Sequence, residues 1–237
     1  ANERLTELDR MKDDFISTVS HELRTPLTSI RALSEILHDN PELDREQRVR
    51  FLGIVIKESE RLTRLINQVL DLARLEAGQG EWHAVVIDVA QVADEAVAAT
   101  SRLFEEKRIA VEIDVESELP RVLGDRDRLI QVMLNLLSNA VKFSPEETGR
   151  VHIALYREGD AVRIDVADNG IGIAPVHHDS VFEKFHQVGD TMTEKPAGSG
   201  LGLAICRQIV GHFGGHLWVA SQPGAGAIFS FTLPLHP

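Results

Sequence analysis

Four stretches of this chain hold side chains whose types and spacing could do chemistry. The first is HELRTPL, residues 21–27. At about 100° per helical residue, His21 points away from the apolar Val19 and Leu23, so its imidazole faces solvent. Glu22 adjoins it, and Thr25 follows one turn on, on the same face. Pro26 cannot donate to the carbonyl of Glu22, which predicts a bend at that point. The chain has ten histidines, and a histidine on a charged helix is ordinarily inert. His21 stands out because a locally costly proline sits beside it, and such conflicts mark functional positions. Near neutral pH an imidazole with a pKa of about 6.5 is substantially neutral and nucleophilic.

The second stretch, LIQVMLNLLSNAVKF at 129–143, is apolar almost all round, which predicts a buried helix. Gln131, Asn135 and Asn139 nevertheless recur every fourth residue, and Lys142 follows one turn on. Buried polar groups need partners, so either the protein supplies them or the stripe lines a ligand cavity. Amide oxygens suit a hard cation such as Mg²⁺, and a lysine suits phosphate.

The third and fourth stretches are glycine clusters. DNGIG, 168–172, follows an alternating strand, so Asp168 lies at a strand end with glycines that allow close backbone approach. The pentapeptide reads equally as a tight turn. Alternatively, an ionised Asp168 accepts a hydrogen bond from the exocyclic amine of adenine, where guanine offers a carbonyl. GSGLGLA, 198–204, opens a helix, and glycine amides at a helix N-terminus form an anion site; the same residues could serve as a hinge. Between the clusters lie VFEKF, 181–185, and GDTMTEKPA. An irregular stretch of that length is expected to form a lid, with Phe182 and Phe185 as its anchors. His177-His178 has no metal-ligand spacing around it and reads as loop surface. Cys206, the only cysteine, reads as core filler; with no intrachain disulfide available, the chain suits a reducing cytoplasm.

Two regions of different pattern must position these groups. Apolar residues at Leu8, Met11, Phe15, Val19, Leu23, Leu27, Ile30, Leu33 and Leu37 predict one long helix. After the break at Asn40-Pro41, Asp44 and Gln47 form a helix-start signal. The stripe Leu52, Val55, Ser59, Leu62, Ile66, Val69 and Ala73 predicts a second helix, ended by Gly78 and Gly80. Two helices alone bury too little, so the hairpin is expected to complete a four-helix bundle with a second copy, a homodimer. From Glu81 onward, strands at 111–115, 151–155, 162–166, 217–220 and 228–233 alternate with helices near 89–106, 125–143 and 200–213. Asp88 and Asp125 are helix starts, and Gly159-Asp160 a hairpin turn. This predicts a multidomain chain: an all-α hairpin, then an α+β sandwich with a mixed sheet and helices on one side.

Composition narrows the partners. A formal net charge of -12 repels nucleic acid and anionic membrane surfaces, so neither is expected as a partner. No apolar run approaches the roughly 18 residues of a membrane span. Residues 1–15 already read as an amphipathic helix without a starting cap, so the chain is expected to be a fragment whose upstream part is missing.

The order HELRTPL, NLLSNAVKF, DNGIG, VFEKF, GSGLGLA resembles the full motif series of two-component sensor histidine kinases, from about Thr6 to Leu233. The resemblance implies a dimerisation and phosphotransfer hairpin at 1–78 and a Bergerat-type ATP-binding domain at 81–237. It makes His21 the phosphoacceptor, Glu22 the acidic group that orients or deprotonates it, and Thr25 a residue that positions water in a phosphatase reaction. It places Mg²⁺ at Asn139, with Asn135 and Lys142 near the phosphates of ATP and Phe143 beside the nucleotide. Asp168 then reads adenine, Gly170 and Gly172 shape that pocket, and Gly198, Gly200 and Gly202 flank the phosphates. It further implies a response-regulator receiver domain as partner, an upstream sensor domain, and a cytoplasmic location. Relatives often carry a basic residue after the phenylalanine motif, where this chain has His186-Gln187; Lys184 and Lys195 are alternative cations. An ATPase of the same fold, or a silent dimeric scaffold, are the rival readings.

Overall fold

The structure, a computed structural model, describes residues 2–187 and 198–235, with side chains from Asp13 onward. Leu8, Met11 and the whole GDTMTEKPA segment, Lys195 included, thus fall outside the described residues or side chains. The chain divides into two compact units, Ala1–Ala73 and Arg74–Pro237.

The first unit holds α1 (Asn2–Asp39) and most of α2 (Arg45–Glu76). The Asp44 carboxylate accepts from the amide of Gln47 at 2.7 Å, the cap expected from the sequence. The helix α1 runs unbroken through Pro26, which is buried. Hydroxyls of Thr18, Ser20 and Thr25 each donate to the carbonyl four residues back, so this stretch carries extra local bonds around the proline. The shielded face of α1 includes Phe15, Val19, Leu23, Ile30, Leu33 and Leu37, whereas Leu27 is exposed. On α2 the stripe members Val55, Leu62 and Val69 are partly shielded. Leu65, Leu72 and Leu75 are buried, while Leu52 and Ile66 are exposed in the single chain. α2 is thus apolar on two adjoining faces.

The end of α2 is a glycine-capped turn. Gly78 has φ 66°, its amide bonds to Leu75 O, and that of Gln79 bonds to Arg74 O, the paired bonds of a left-handed helix stop.

The second unit is built on a five-stranded mixed sheet in the order β2 (Ala110–Val115), β4 (Arg150–Glu158), β5 (Ala161–Asp168), β7 (Ala227–Pro234), β6 (Leu217–Ser221). β2 and β4 are parallel, the other pairs antiparallel. Gly159-Asp160 makes the β4–β5 turn, with Gly159 at φ 60°. Period-two alternation puts Ile153, Leu155, Ile164, Val166, Phe229 and Phe231 on the buried face; Ile164 pairs with both Leu155 and Phe231. Over that face lie α3 (Val89–Lys107), α4 (Arg126–Phe143) and α5 (Gly202–His212). A two-stranded sheet of β1 (Val85–Ile87) and β3 (Val122–Gly124) completes the unit. Those strands are three residues long, too short for their alternation to stand out in the sequence. The buried Asp125 carboxylate caps α4 through the amides of Asp127 and Arg128 and also holds the amide of His83 at 2.8 Å.

Candidate functional site

In the first unit the His21 side chain is 67% exposed, as its helical phase requires, and its Nδ1 lies 3.8 Å from Glu22 Oε1. Glu22 is more sheltered, at 18%, and its other oxygen approaches Arg61 of α2 at 4.0 Å. Arg61 in turn lies 3.7 Å from Glu58. The Glu22 carboxylate thus lies on the Nδ1 side of the imidazole. The Thr25 hydroxyl donates to the His21 carbonyl at 3.2 Å, which ties the backbone at His21 to the turn that follows.

In the second unit the polar stripe of α4 splits into two halves. Gln131 accepts from Arg128 at 3.1 Å. The Asn135 amide donates to Gly202 O at 3.4 Å and lies 3.5 Å from Cys206 Sγ. Protein groups therefore satisfy that half. Asn139 and Lys142 are half-buried, and among the described residues neither side chain has a hydrogen-bond or ion-pair partner. The Lys142 ammonium stands 4.6 Å from the Phe143 ring centroid, and burial lowers its pKa below the usual lysine value. A half-buried cation without a counter-charge is poised for an anion.

Both glycine clusters converge on this helix. A Cβ on Gly170 would lie 2.6 Å from the Phe143 carbonyl oxygen, one on Gly198 3.1 Å from Lys142 Nζ, and one on Gly202 3.2 Å from Asn135 Oδ1. The DNGIG loop therefore abuts the C-terminal end of α4, and the GSGLGLA loop runs beside its polar stripe. Asp168, at the end of β5, accepts from the Gly170 amide at 2.8 Å. Burial raises its pKa above the ordinary aspartate value, while bonds from the amides of Gly170 and Ala227 pull it back. Gly172, at φ 72°, sits where a Cβ would fall 1.9 Å from Gln222 O. Gly200 has φ 68° and its carbonyl accepts from the amide of Phe185 at 2.9 Å.

Phe182 is buried and meets Phe229 edge-on at 6.2 Å, so it is anchored in the core as expected of it. His186 is engaged with Ser180 Oγ at 3.0 Å, and Gln187 donates to Gly198 O at 2.8 Å. Lys184 pairs with Glu76 at 2.6 Å. Cys206 is fully buried, and its thiol is pushed up to about 12, so it is no nucleophile.

Three contributors escape a reading of the sequence. Gly226, at φ 77°, lies so close to β5 that a Cβ would fall 1.9 Å from Asp168 O. Ser221 accepts from Ile173 N at 2.7 Å and donates to Gly226 O at 2.6 Å, which bolts the turn at 222–226 to the DNGIG loop. Asn169 accepts from Arg150 N and donates to Thr148 O, and so fixes the other side of that loop. The only signal for the first pair was the glycine-rich QPGAGA run, indistinguishable from an ordinary hairpin turn.

A helical hairpin with an exposed histidine, followed by a mixed-sheet unit whose two glycine loops flank one helix stripe, defines a class: a phosphoacceptor module joined to a gyrase-like ATPase fold. Residues 11–78 match the family described as His Kinase A (phospho-acceptor) domain. Residues 124–237 match Histidine kinase-, DNA gyrase B-, and HSP90-like ATPase. Sensor histidine kinase WalK of Bacillus subtilis is 35% identical over 96% of this chain and 37% of its own length. Among solved structures, full-length ShkA in complex with AMPPNP is 34% identical with a TM-score of 0.69, covering 94% of this chain and 46% of that one. Histidine kinase ThkA in complex with the response regulator protein TrrA is 25% identical with a TM-score of 0.74, covering 100% of this chain and 64% of that one. This chain belongs to the two-component sensor histidine kinases and carries their catalytic core. It spans between 36% and 59% of the length of curated relatives that it matches.

Proposed function

We propose that this chain transfers the γ-phosphoryl group of ATP to His21 and then to an aspartate on a response-regulator receiver domain. One observation carries the ATP half: both glycine loops abut the single helix on which Asn139 and Lys142 stand without side-chain hydrogen-bond or ion-pair partners among the described residues. In this reading Asp168 accepts from the adenine amine, Gly170 and Gly172 leave room for the base, and Phe143 lies beside it. Lys142 faces the phosphates, with Asn135 held against the Gly202 carbonyl beside them and Gly198, Gly200 and Gly202 lending close backbone approach. Residues 1–78 serve as the dimerisation and phosphotransfer module and 81–237 as the ATP-binding domain.

The residues also fit Mg²⁺. The Asn139 amide oxygen is a hard donor, and no cluster of three His, Cys, Asp or Glu side chains competes for a metal among the described residues. Mg²⁺ takes few protein ligands and completes its shell with phosphate oxygens and water. When bound, it would offset charge on the phosphates. His21 Nε2 attacks the γ-phosphorus, the bond to the β,γ-bridging oxygen breaks, and ADP leaves. Glu22 stabilises the proton on Nδ1 as the ring becomes positive. Thr25, one turn from His21, is placed to position water should the same core dephosphorylate its regulator.

The hairpin calls for a second copy. Ile16, Leu27, Ile36, Val49, Leu52, Ile56, Ile66 and Leu70 are all exposed in one chain, an apolar excess that a four-helix bundle would cover. No helix among the described residues is long and apolar enough to cross a membrane, and the reading places this core in the cytoplasm, fed by an upstream sensor domain.

The test is incubation with γ-labelled ATP. Acid-labile, base-stable label on the wild type, absent from His21→Gln with nucleotide affinity retained, is the expected result. Undiminished labelling of that variant rejects His21. ATP hydrolysis without any protein label favours the plain ATPase, and absence of nucleotide binding favours the scaffold.

A further inference from the structure

The geometry points to Lys107 as a positioning residue for the nucleotide site, an inference that rests on the ATP reading of the second unit. Lys107 is the last residue of α3. Its ammonium donates to the carbonyl oxygens of Val141 at 2.9 Å and Lys142 at 3.1 Å. These belong to the last turn of α4, where helical carbonyls have no partners within the helix. A cation on that end also meets the negative pole of the helix dipole.

The other carbonyls of the turn are accounted for as well. Ala140 O accepts from Ser144 N at 3.0 Å, and Phe143 O lies against Gly170, which has no Cβ to push it away. The end of α4 is therefore gripped from two sides, by Lys107 and by the DNGIG loop. The grip is reciprocal: Lys107 O accepts from Glu147 N at 2.9 Å, and Arg108 pairs with Glu147 at 2.6 Å. The turn leaving α4 is thus stitched back onto the end of α3.

The turn that Lys107 holds carries Lys142 and Phe143, and Asn139 stands one turn before it. Lys142 has no anion of its own among the described residues to fix it. Where the Lys142 ammonium stands is set by the backbone at 139–143, and among the described residues Lys107 is the side chain from outside α4 that bonds that backbone. Nothing in the order of motifs pointed to it, because it sits more than thirty residues upstream of the turn it holds.

The experiment is a thermodynamic cycle on the whole chain. Lys107→Met keeps the length of the side chain but removes its donors; Lys107→Arg keeps donors and charge. Mg-ATP affinity is measured by calorimetry, and thermal midpoints without nucleotide are recorded for each variant. Lys107→Met is expected to weaken Mg-ATP binding about tenfold, because the competent turn becomes a minor conformer and apparent affinity falls with its population. Lys107→Arg is expected to restore most of the loss. In the background of Lys142→Met, the effect of Lys107→Met on affinity should largely vanish, since the two act as a unit. Wild-type affinity for Lys107→Met, or full additivity with Lys142→Met, would overturn the assignment and leave Lys107 a helix cap alone. If Lys107→Met does not fold, Lys107→Arg and Lys107→Gln, which retain donors, are compared instead, and equal affinity across both shorter and longer donors overturns it. A wild type that binds no ATP would instead bring down the reading on which the inference rests.

Discussion

Gly226 approaches Asp168 so closely that a methyl group on it would stand 1.9 Å from the aspartate carbonyl oxygen. This contact, together with the Ser221 bridge, sets where the Asp168 carboxylate is presented. Gly226→Ala must move the backbone of β5 or of the turn, and it also places a side chain at φ 77°. We expect a loss of about 2–4 kcal/mol in stability from left-handed strain plus overlap. ATP affinity should fall more than thermal stability alone accounts for. Urea unfolding and calorimetry on the same preparation check both; unchanged ATP binding would mean that Asp168 is held by other contacts.

Asp168→Asn separates base reading from folding. Burial holds the Asp168 pKa above its unfolded value, so the folded state binds the proton more tightly than the unfolded chain does. Stability from this group is therefore greatest at low pH and falls as pH rises through the window just above the ordinary aspartate value. At neutral pH the ionised carboxylate is a burden on the empty fold. Asp168→Asn should leave the nucleotide-free protein as stable as wild type at neutral pH, or slightly more so, while preference for ATP over GTP drops. A large loss of stability, with preference intact, would contradict both halves.

Much of this site was legible because its signals are periodic or local. The Gln131, Asn135, Asn139 and Lys142 stripe shows in the sequence since a four-residue spacing on an apolar helix has one geometric meaning. What periodicity left open was which members face the protein: Gln131 and Asn135 find partners from Arg128 and Gly202, and only the fold brings those together. Asp44, Asp88 and Asp125 announced their helices because a cap acts within three residues. Gly226, Ser221 and Lys107 act across the fold, through β-pairing or helix packing, and no local rule singles them out. On α2 two adjoining apolar faces look alike in the sequence, and within one chain the fold buries Leu65, Leu72 and Leu75.

Lys142 gives a prediction at alkaline pH. Its pKa is lowered by burial, so between that value and the ordinary lysine value the unfolded chain holds more protons. Stability of the empty protein therefore gains as pH rises through this window. Nucleotide affinity should move the other way, because phosphate needs the charged ammonium. Lys142→Met is expected to lower ATP affinity by about a hundredfold, the scale of a lost charge-assisted contact of roughly 1.5–3 kcal/mol, and to remove the alkaline decline in binding. Calorimetric titrations across the alkaline range decide it; a decline that persists in the variant would trace to another group.

The two glycines that follow α2 differ in their surroundings. Gly78 has open space around it, but Gly80 is packed, with a Cβ placed 3.0 Å from Trp82 Nε1 and 3.3 Å from Leu75 Cδ2. Trp82 itself stacks on His212 at 3.7 Å, meets Phe213 edge-on at 5.4 Å, and has the Arg128 guanidinium 5.7 Å from its ring centroid. The segment 80–83 is thereby fastened to both α4 and α5. Trp82→Ala should cost about 1–3 kcal/mol, from half-buried area plus the stacked pair, and leave ATP affinity within about twofold. Limited proteolysis should then cut at 77–83 faster than in wild type. Equal cutting rates, with the expected fall in stability, would show that the segment stays docked without its tryptophan.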